Sequence, residues 1–106
     1  MNKIANKDAK QLVVRFIDFK GSNTFGLWEN QFCYVVYSYG KHFPMYVYDG
    51  ISRRWFGNYD KYSQTTSKHM SQCRPTGDVI YKTTAFLNNI IYDGIAHAVD
   101  NMPNDK

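Results

Sequence analysis

No stretch of these 106 residues approaches the roughly 20 consecutive apolar residues that a membrane span requires. The opening Met1–Asp8 has no apolar core of the kind a secretory leader carries. Cysteine is scarce: Cys33 and Cys73 stand far apart and are too few for a disulfide scaffold, which favours a reducing, cytoplasmic setting. Internal repeats and low-complexity tracts are missing as well. The length suits a single domain over 1–106, with residues 1–10 flexible or weakly helical and 102–106 a tail.

Chemical motifs are equally thin. Gly21 and Gly26 have the spacing that opens a phosphate-binding loop, but Leu27 and Trp28 follow where Lys and Ser or Thr would touch phosphate and metal. Cys33, His42, His69 and Cys73 are the right types for zinc, yet neither side has a C-x-x-C or H-x-x-x-H clasp. Asp49, Asp60, Asp78 and Asp93 each fall at a turn or a solvated helix position, where Asp is expected without any acid–base role. The sequence therefore predicts no catalytic residue, no metal and no cofactor.

What is abundant is aromatic. Phe, Trp and Tyr make up 17% of the chain, nine of them Tyr, a residue that buries a ring while keeping a polar tip. Thirteen Lys and Arg against nine Asp and Glu give a net charge of +4, a mild bias toward anionic partners. The same charge also serves solubility.

Leu12–Phe19, β-branched and aromatic, predicts a strand, and Gly21–Asn30 a turn-rich connection. Phe32–Tyr39 is the strongest strand signal. Gly40, Lys41 and His42 then make a turn, followed by a strand from Phe43 to Tyr48 and another from Ile51 to Phe56. Asp49-Gly50 between these two is a hairpin signal of type I′. Pro44, with no N–H to donate, belongs at a strand start or on an edge. Val79–Tyr81 suits a short extra strand. Thr83 or Thr84 then caps a long helix to about Asn101, with Leu87, Ile90, Ile91, Ile95 and Ala98 on one stripe and Gly94 permitting close approach to the sheet. The expected fold is α+β: an antiparallel meander of three to four strands, a short helix, and a C-terminal helix packed on one face.

A two-residue turn at Asp49-Gly50 would pair Tyr48 with Ile51, Tyr46 with Arg53 and Pro44 with Trp55. Alternation then puts Phe43, Met45, Val47 and Phe56 on a core face, with Arg54 at its margin. Tyr46, Tyr48, Arg53 and Trp55 fall on the other face. Three readings of that second set stay open. It is a protein interface, since Tyr, Trp and Arg dominate hot spots. It is a platform on which single-stranded nucleic acid stacks. Or it is a second small core, covered by the N-terminal segment or the Gly21–Asn30 loop.

The stretch KYSQTTSKHMSQCRP, residues 61–75, is dense in nucleophiles. With Thr65 or Thr66 as N-cap, Ser67–Cys73 is two turns of helix that Arg74-Pro75 ends. On that wheel Thr66, His69, Met70 and Cys73 share a face, which points the His69–Cys73 pair at the core and away from catalysis. Lys68, Ser71 and Gln72 point outward.

A longer pattern spans residues 34–75. YVVYSYGKHFPMYVYDG, then WFGNYDKYSQTTSKHMSQCRP, resembles a family of small proteins encoded by phages and other mobile elements. Its members share H-F-P-x-Y-V-Y-D, W-F-x-N, K-Y-S-x-T-T-S-x-H and R-P in that order. The resemblance transfers no catalytic residue. It implies a non-enzymatic accessory protein in the host cytoplasm that binds a host protein or nucleoprotein assembly, such as a counter-defence inhibitor of the anti-CRISPR or anti-restriction type. The expected contact residues are Tyr46, Tyr48, Arg53 and Trp55 with Lys68 and Gln72. The alternative is single-stranded DNA or RNA on the same basic aromatic face. No membrane partner is expected, and the sequence specifies no oligomeric state.

Overall fold

The longest β-branched and aromatic run becomes the centre of the molecule. In the computed structural model, which describes residues 2–60 and 64–100, every residue of Cys33–Ser38 is buried, as expected of a strand covered on both faces. It is the fourth strand of a seven-stranded sheet that runs in sequence order. The strands are β1 (Asn2–Lys3), β2 (Phe19–Lys20), β3 (Thr24–Trp28), β4 (Cys33–Ser38), β5 (Gly40–Asp49), β6 (Arg54–Asn58) and β7 (Val79–Lys82). β2 to β6 are antiparallel neighbours, while β1 pairs parallel to β2 and β7 parallel to β6.

Each parallel pair requires a crossover, and both crossovers carry a helix. A 3-10 turn (Asn6–Asp8) and α1 (Ala9–Val13) link β1 to β2, and α2 (Gln64–Cys73) links β6 to β7. Both helices pack on one face, in a core of Ala9, Val13, Phe19, Tyr34, Val36, Tyr46, Trp55 and Cys73. After β7 come α3 (Thr84–Asp93) and α4 (Ile95–Asp100), which close the other face over Val35, Tyr37, Val47 and Phe56. The fold is α+β with helices on both faces of a mixed sheet. Among the described residues no helix is long and apolar enough to cross a membrane.

The expected meander of three to four strands is therefore too small. Residues 24–28, expected as connection, form β3, paired along its whole length from Thr24 opposite Ser38 to Trp28 opposite Tyr34. Its Gly26 is needed there, because a β-carbon would sit 2.5 Å from the Phe19 ring and 2.7 Å from the Tyr34 hydroxyl. Leu12–Phe19 is not the expected strand. Ala9, Leu12, Val13 and Phe16 stand at i, i+3, i+4 and i+7, a helical stripe, and the helical period wins. The segment turns at Phe16, whose φ of 56° ends the helix.

The β5–β6 connection also differs. Gly50 does not adopt positive φ, so no type I′ turn forms. The Asp49 carboxylate instead accepts the Ser52 N–H at 2.7 Å, the Arg53 N–H donates to the Asp49 carbonyl, and Arg53 takes the left-handed conformation at φ 59°. The loop is Gly50–Arg53. Tyr48 consequently pairs with Trp55 and Tyr46 with Gly57. The register moves by four residues, an even number, so Tyr46, Tyr48 and Trp55 keep their common face.

Pro44 lies inside a central strand. It sits opposite Tyr37 at a bulge between β4 and β5, where the ladder is already interrupted. The bulge divides the expected core set: Phe43 and Met45 join the α2 side, Val47 and Phe56 the α3 side.

The C-terminal helix caps as expected, with the Thr83 hydroxyl accepting the Phe86 N–H at 3.1 Å. It then breaks at Gly94, whose φ of 92° lies outside the helical region. A β-carbon on Gly94 would meet nothing within 4 Å, so its role is the break and not close approach. Leu87, Ile90, Ile91 and Ala98 are buried as the stripe predicts, with Ile95 partly so. The proposed tail at 102–106, and Asn101, lie outside the described residues.

Candidate functional site

The aromatic face expected to be open is closed. Tyr46 is 1% and Trp55 9% exposed, and Tyr48 is half-buried. The cover is Phe16. Its ring stacks on Trp55 at 5.7 Å with an interplanar angle of 11°, lies 4.5 Å from Tyr48, and meets Tyr34 edge-on at 5.9 Å. Two hydrogen bonds hold that turn down: Trp28 Nε1 donates to the Phe16 carbonyl at 3.0 Å, and the Tyr34 hydroxyl to the Ile17 carbonyl at 2.7 Å. Of the three readings, the second core covered by the N-terminal segment is the one the structure takes. The Tyr46 and Trp55 rings are therefore not open for stacking.

The remaining expected contact residues scatter. Arg53 is exposed on the β5–β6 loop, in a cleft of about 400 Å³ with Arg54, Thr76 and Asp78. Lys68 points to solvent from α2. Gln72 does not, because its side-chain oxygen is buried with no hydrogen bond among the described residues. The six residues do not form one surface.

Thr66, His69 and Cys73 turn inward, with exposures of 2%, 3% and 0%. His69 Nδ1 lies 2.8 Å from the Ser38 hydroxyl. Burial, and then the nearby Lys68 charge, hold its imidazole below the ordinary value. Burial pushes the Cys73 thiol up to about 12 and the Cys33 thiol to about 11, so neither supplies a thiolate near neutral pH. Among the described residues no group of three or more His, Cys, Asp or Glu could hold a metal ion.

A different cleft collects exposed chemistry. It has a volume of about 290 Å³ and lies beside α2, at the carboxyl ends of the parallel strands β6 and β7. In parallel α/β units that end is where ligands find a crevice. The helix wall is Ser67, Met70, Ser71 and Arg74, at spacings of three and four that form one stripe. The opposite wall is Tyr46, Tyr59 and Tyr81.

Gly57 makes room for that wall, since a β-carbon there would lie 2.7 Å from the Tyr81 ring and 2.8 Å from Val79. Arg74 donates to the Tyr81 hydroxyl, and its guanidinium carbon lies 5.8 Å from that ring's centroid. The Tyr46 hydroxyl donates to the Met70 carbonyl at 2.9 Å. Burial, with neighbouring Tyr81, raises the Tyr46 phenol well above its ordinary value, and Arg74 opposes the shift.

The floor is rigid. Asn58, 3% exposed, donates to the Pro44 carbonyl and to the Thr84 hydroxyl at 2.9 Å each, while its own oxygen accepts the Asp60 N–H at 2.8 Å. The Asp60 carboxylate accepts the Thr84 N–H at 2.8 Å, a favourable place for an anion at the start of α3. Serine hydroxyls, phenol rings, one guanidinium and the Asp60 carboxylate are what the described residues present to the cleft. Tyr59, at 58% exposure, and Tyr81, at 38%, are the aromatic residues that sequence reasoning passed over. Their meeting with Arg74 depends on β7 pairing parallel to β6, which no local pattern announces.

No protein-family model, curated protein or solved structure matches this chain.

Proposed function

We propose that this chain is a non-enzymatic accessory protein, of the kind mobile elements encode, that docks on a host protein or nucleoprotein assembly as a counter-defence inhibitor. The observation that supports this reading is the Tyr59–Arg74–Tyr81 cleft. Exposed Tyr and Arg beside a hydrogen-bonded floor are the residue types that anchor protein interfaces. The motif in residues 34–75 supplies the mobile-element context. The contact set thus moves from Tyr46, Tyr48, Arg53, Trp55, Lys68 and Gln72 to Tyr59, Arg74 and Tyr81, with Ser67 and Ser71 beside them.

Single-stranded nucleic acid is the second reading, favoured by two exposed phenol rings next to a guanidinium. The Asp60 carboxylate in the same cleft repels phosphate, which supports the protein partner over nucleic acid.

Affinity capture from host lysate tests both. The wild-type chain should retain a partner after nuclease treatment, and Tyr59→Ala with Arg74→Ala should lose it while melting unchanged, because both side chains are exposed. Capture that survives the double variant would sink the cleft as the docking site. Capture abolished by nuclease, with affinity falling steeply as salt rises, would move the reading to nucleic acid.

A further inference from the structure

β7 ends the sheet, and among the described residues no strand lies beyond it. Its inner side is committed to β6 in parallel, from Trp55 opposite Val79 to Asn58 opposite Lys82. The Tyr59 N–H donates to the Lys82 carbonyl at 3.0 Å, so residue 82 turns its backbone toward β6. By the two-residue repeat of a strand residue 80 does the same, and Val79 and Tyr81 present their N–H and C=O outward. Natural sheets blunt such an edge with proline, a bulge, a charged side chain or a very short strand. β7 has no proline or bulge, and Tyr81 is 38% exposed on it, but it is four residues long and carries Lys82, a charge that any added strand must satisfy.

We propose that β7 pairs antiparallel with β7 of a second copy of this chain, about a twofold axis at Ile80. Twofold symmetry makes edge pairing in the plane of the sheet antiparallel. The outward groups at 79 and 81 then restrict the register, because only odd positions can exchange hydrogen bonds with odd positions. Setting Val79 against the partner's Tyr81 gives the fullest overlap and brings the two Ile80 residues together on the axis. It also sets Asp78 against the partner's Lys82, twice.

The neighbouring allowed registers place Tyr81 on Tyr81 or Val79 on Val79, and either forfeits both charge pairs. The segment Asp78-Val-Ile-Tyr-Lys82 is thus complementary to itself in one register. Opposed side chains share a face, so Val79 and Tyr81 pack on the α2 side, with Ile80 and the charge pairs on the α3 side. Lys82 already lies on that second side, its Nζ 5.4 Å from the Phe86 ring centroid. An axis normal to the sheet leaves both α2 helices on one side. The two Tyr59–Arg74–Tyr81 clefts would then open beside one another, a bivalent surface.

Ile80→Cys provides the test. Ile80 occupies a non-hydrogen-bonded pair, with Cα atoms ~4.5 Å apart, within reach of a disulfide. Cys33 and Cys73 are buried and do not compete. Mild oxidation should give a covalent dimer of Ile80→Cys and leave the wild-type chain unlinked. In sedimentation, wild type should be dimeric, Lys82→Glu should raise the dimer dissociation constant roughly tenfold, and Asp78→Lys added to it should restore pairing. A wild-type chain that stays monomeric up to roughly 100 μM, where a micromolar interface would be occupied, overturns the proposal. So does a dimer indifferent to Lys82→Glu whose Ile80→Cys form does not cross-link.

Discussion

His69 shows how burial converts a reactive residue type into a structural one. It is 3% exposed, its Nδ1 is 2.8 Å from the Ser38 hydroxyl, and the Tyr39 ring lies 5.3 Å away. Ser38 is itself 1% exposed, so each group satisfies the other out of solvent. Ser38→Ala leaves the imidazole nitrogen unpaired and should cost about 1–2 kcal/mol in denaturant unfolding. Because the folded imidazole titrates below its ordinary value, the unfolded chain binds the proton more readily. This contribution to stability is complete above the ordinary histidine value and is lost as pH falls through it toward the lower folded value. The melting temperature of wild type should therefore drop as pH falls below about 6.5, and that part of the slope should vanish in His69→Gln. Equal slopes in the two proteins would remove His69 as the titrating group.

At the scale of elements, the misread strand and the misread surface are one error. Leu12–Phe19 looks like a strand when the window opens at Leu12. Starting at Ala9, the same residues show the stripe of α1, and the turn that follows lowers Phe16 onto Trp55. Phe16→Ala should cost about 3 kcal/mol, the low end for a Phe→Ala change because the ring is only half-buried. It should also shift the tryptophan emission to the red, buried Trp55 being the ring that Phe16 covers. Unchanged emission would mean that Phe16 is not the cover.

Other elements were legible in the sequence because their signals are local. β4 announced itself by an unbroken apolar run, α3 by a cap and a stripe, and the inward His69–Cys73 face by helical spacing. The β5–β6 loop was not legible, because it depends on whether the Asp49 carboxylate reaches the Ser52 N–H. The cleft was hidden for a similar reason. Tyr59 and Tyr81 meet Arg74 only once β7 lies parallel to β6, a pairing between segments far apart in sequence.

The whole molecule is two cores that share one sheet. β4 alternates its residues between them, with Tyr34 and Val36 facing α1 and α2, and Cys33, Val35 and Tyr37 facing α3 and α4. A layer cannot leave without exposing one side of strands that the other layer still covers, which couples the two cores. Each core holds one free thiol, Cys73 on the α2 side and Cys33 on the α3 side, where its Sγ lies 3.7 Å from the Ile90 carbonyl. Burial pushes both thiols up, to about 12 and about 11, so a thiol reagent modifies them only when the protein opens. In single-cysteine variants, Cys33→Ala and Cys73→Ala, the two labelling rates should agree within roughly threefold at every denaturant concentration and follow global unfolding. If Cys73 labels much faster in the absence of denaturant, the α1–α2 layer opens on its own. The sheet would then carry two separately stable halves, and the Tyr59–Arg74–Tyr81 cleft would belong to the weaker one.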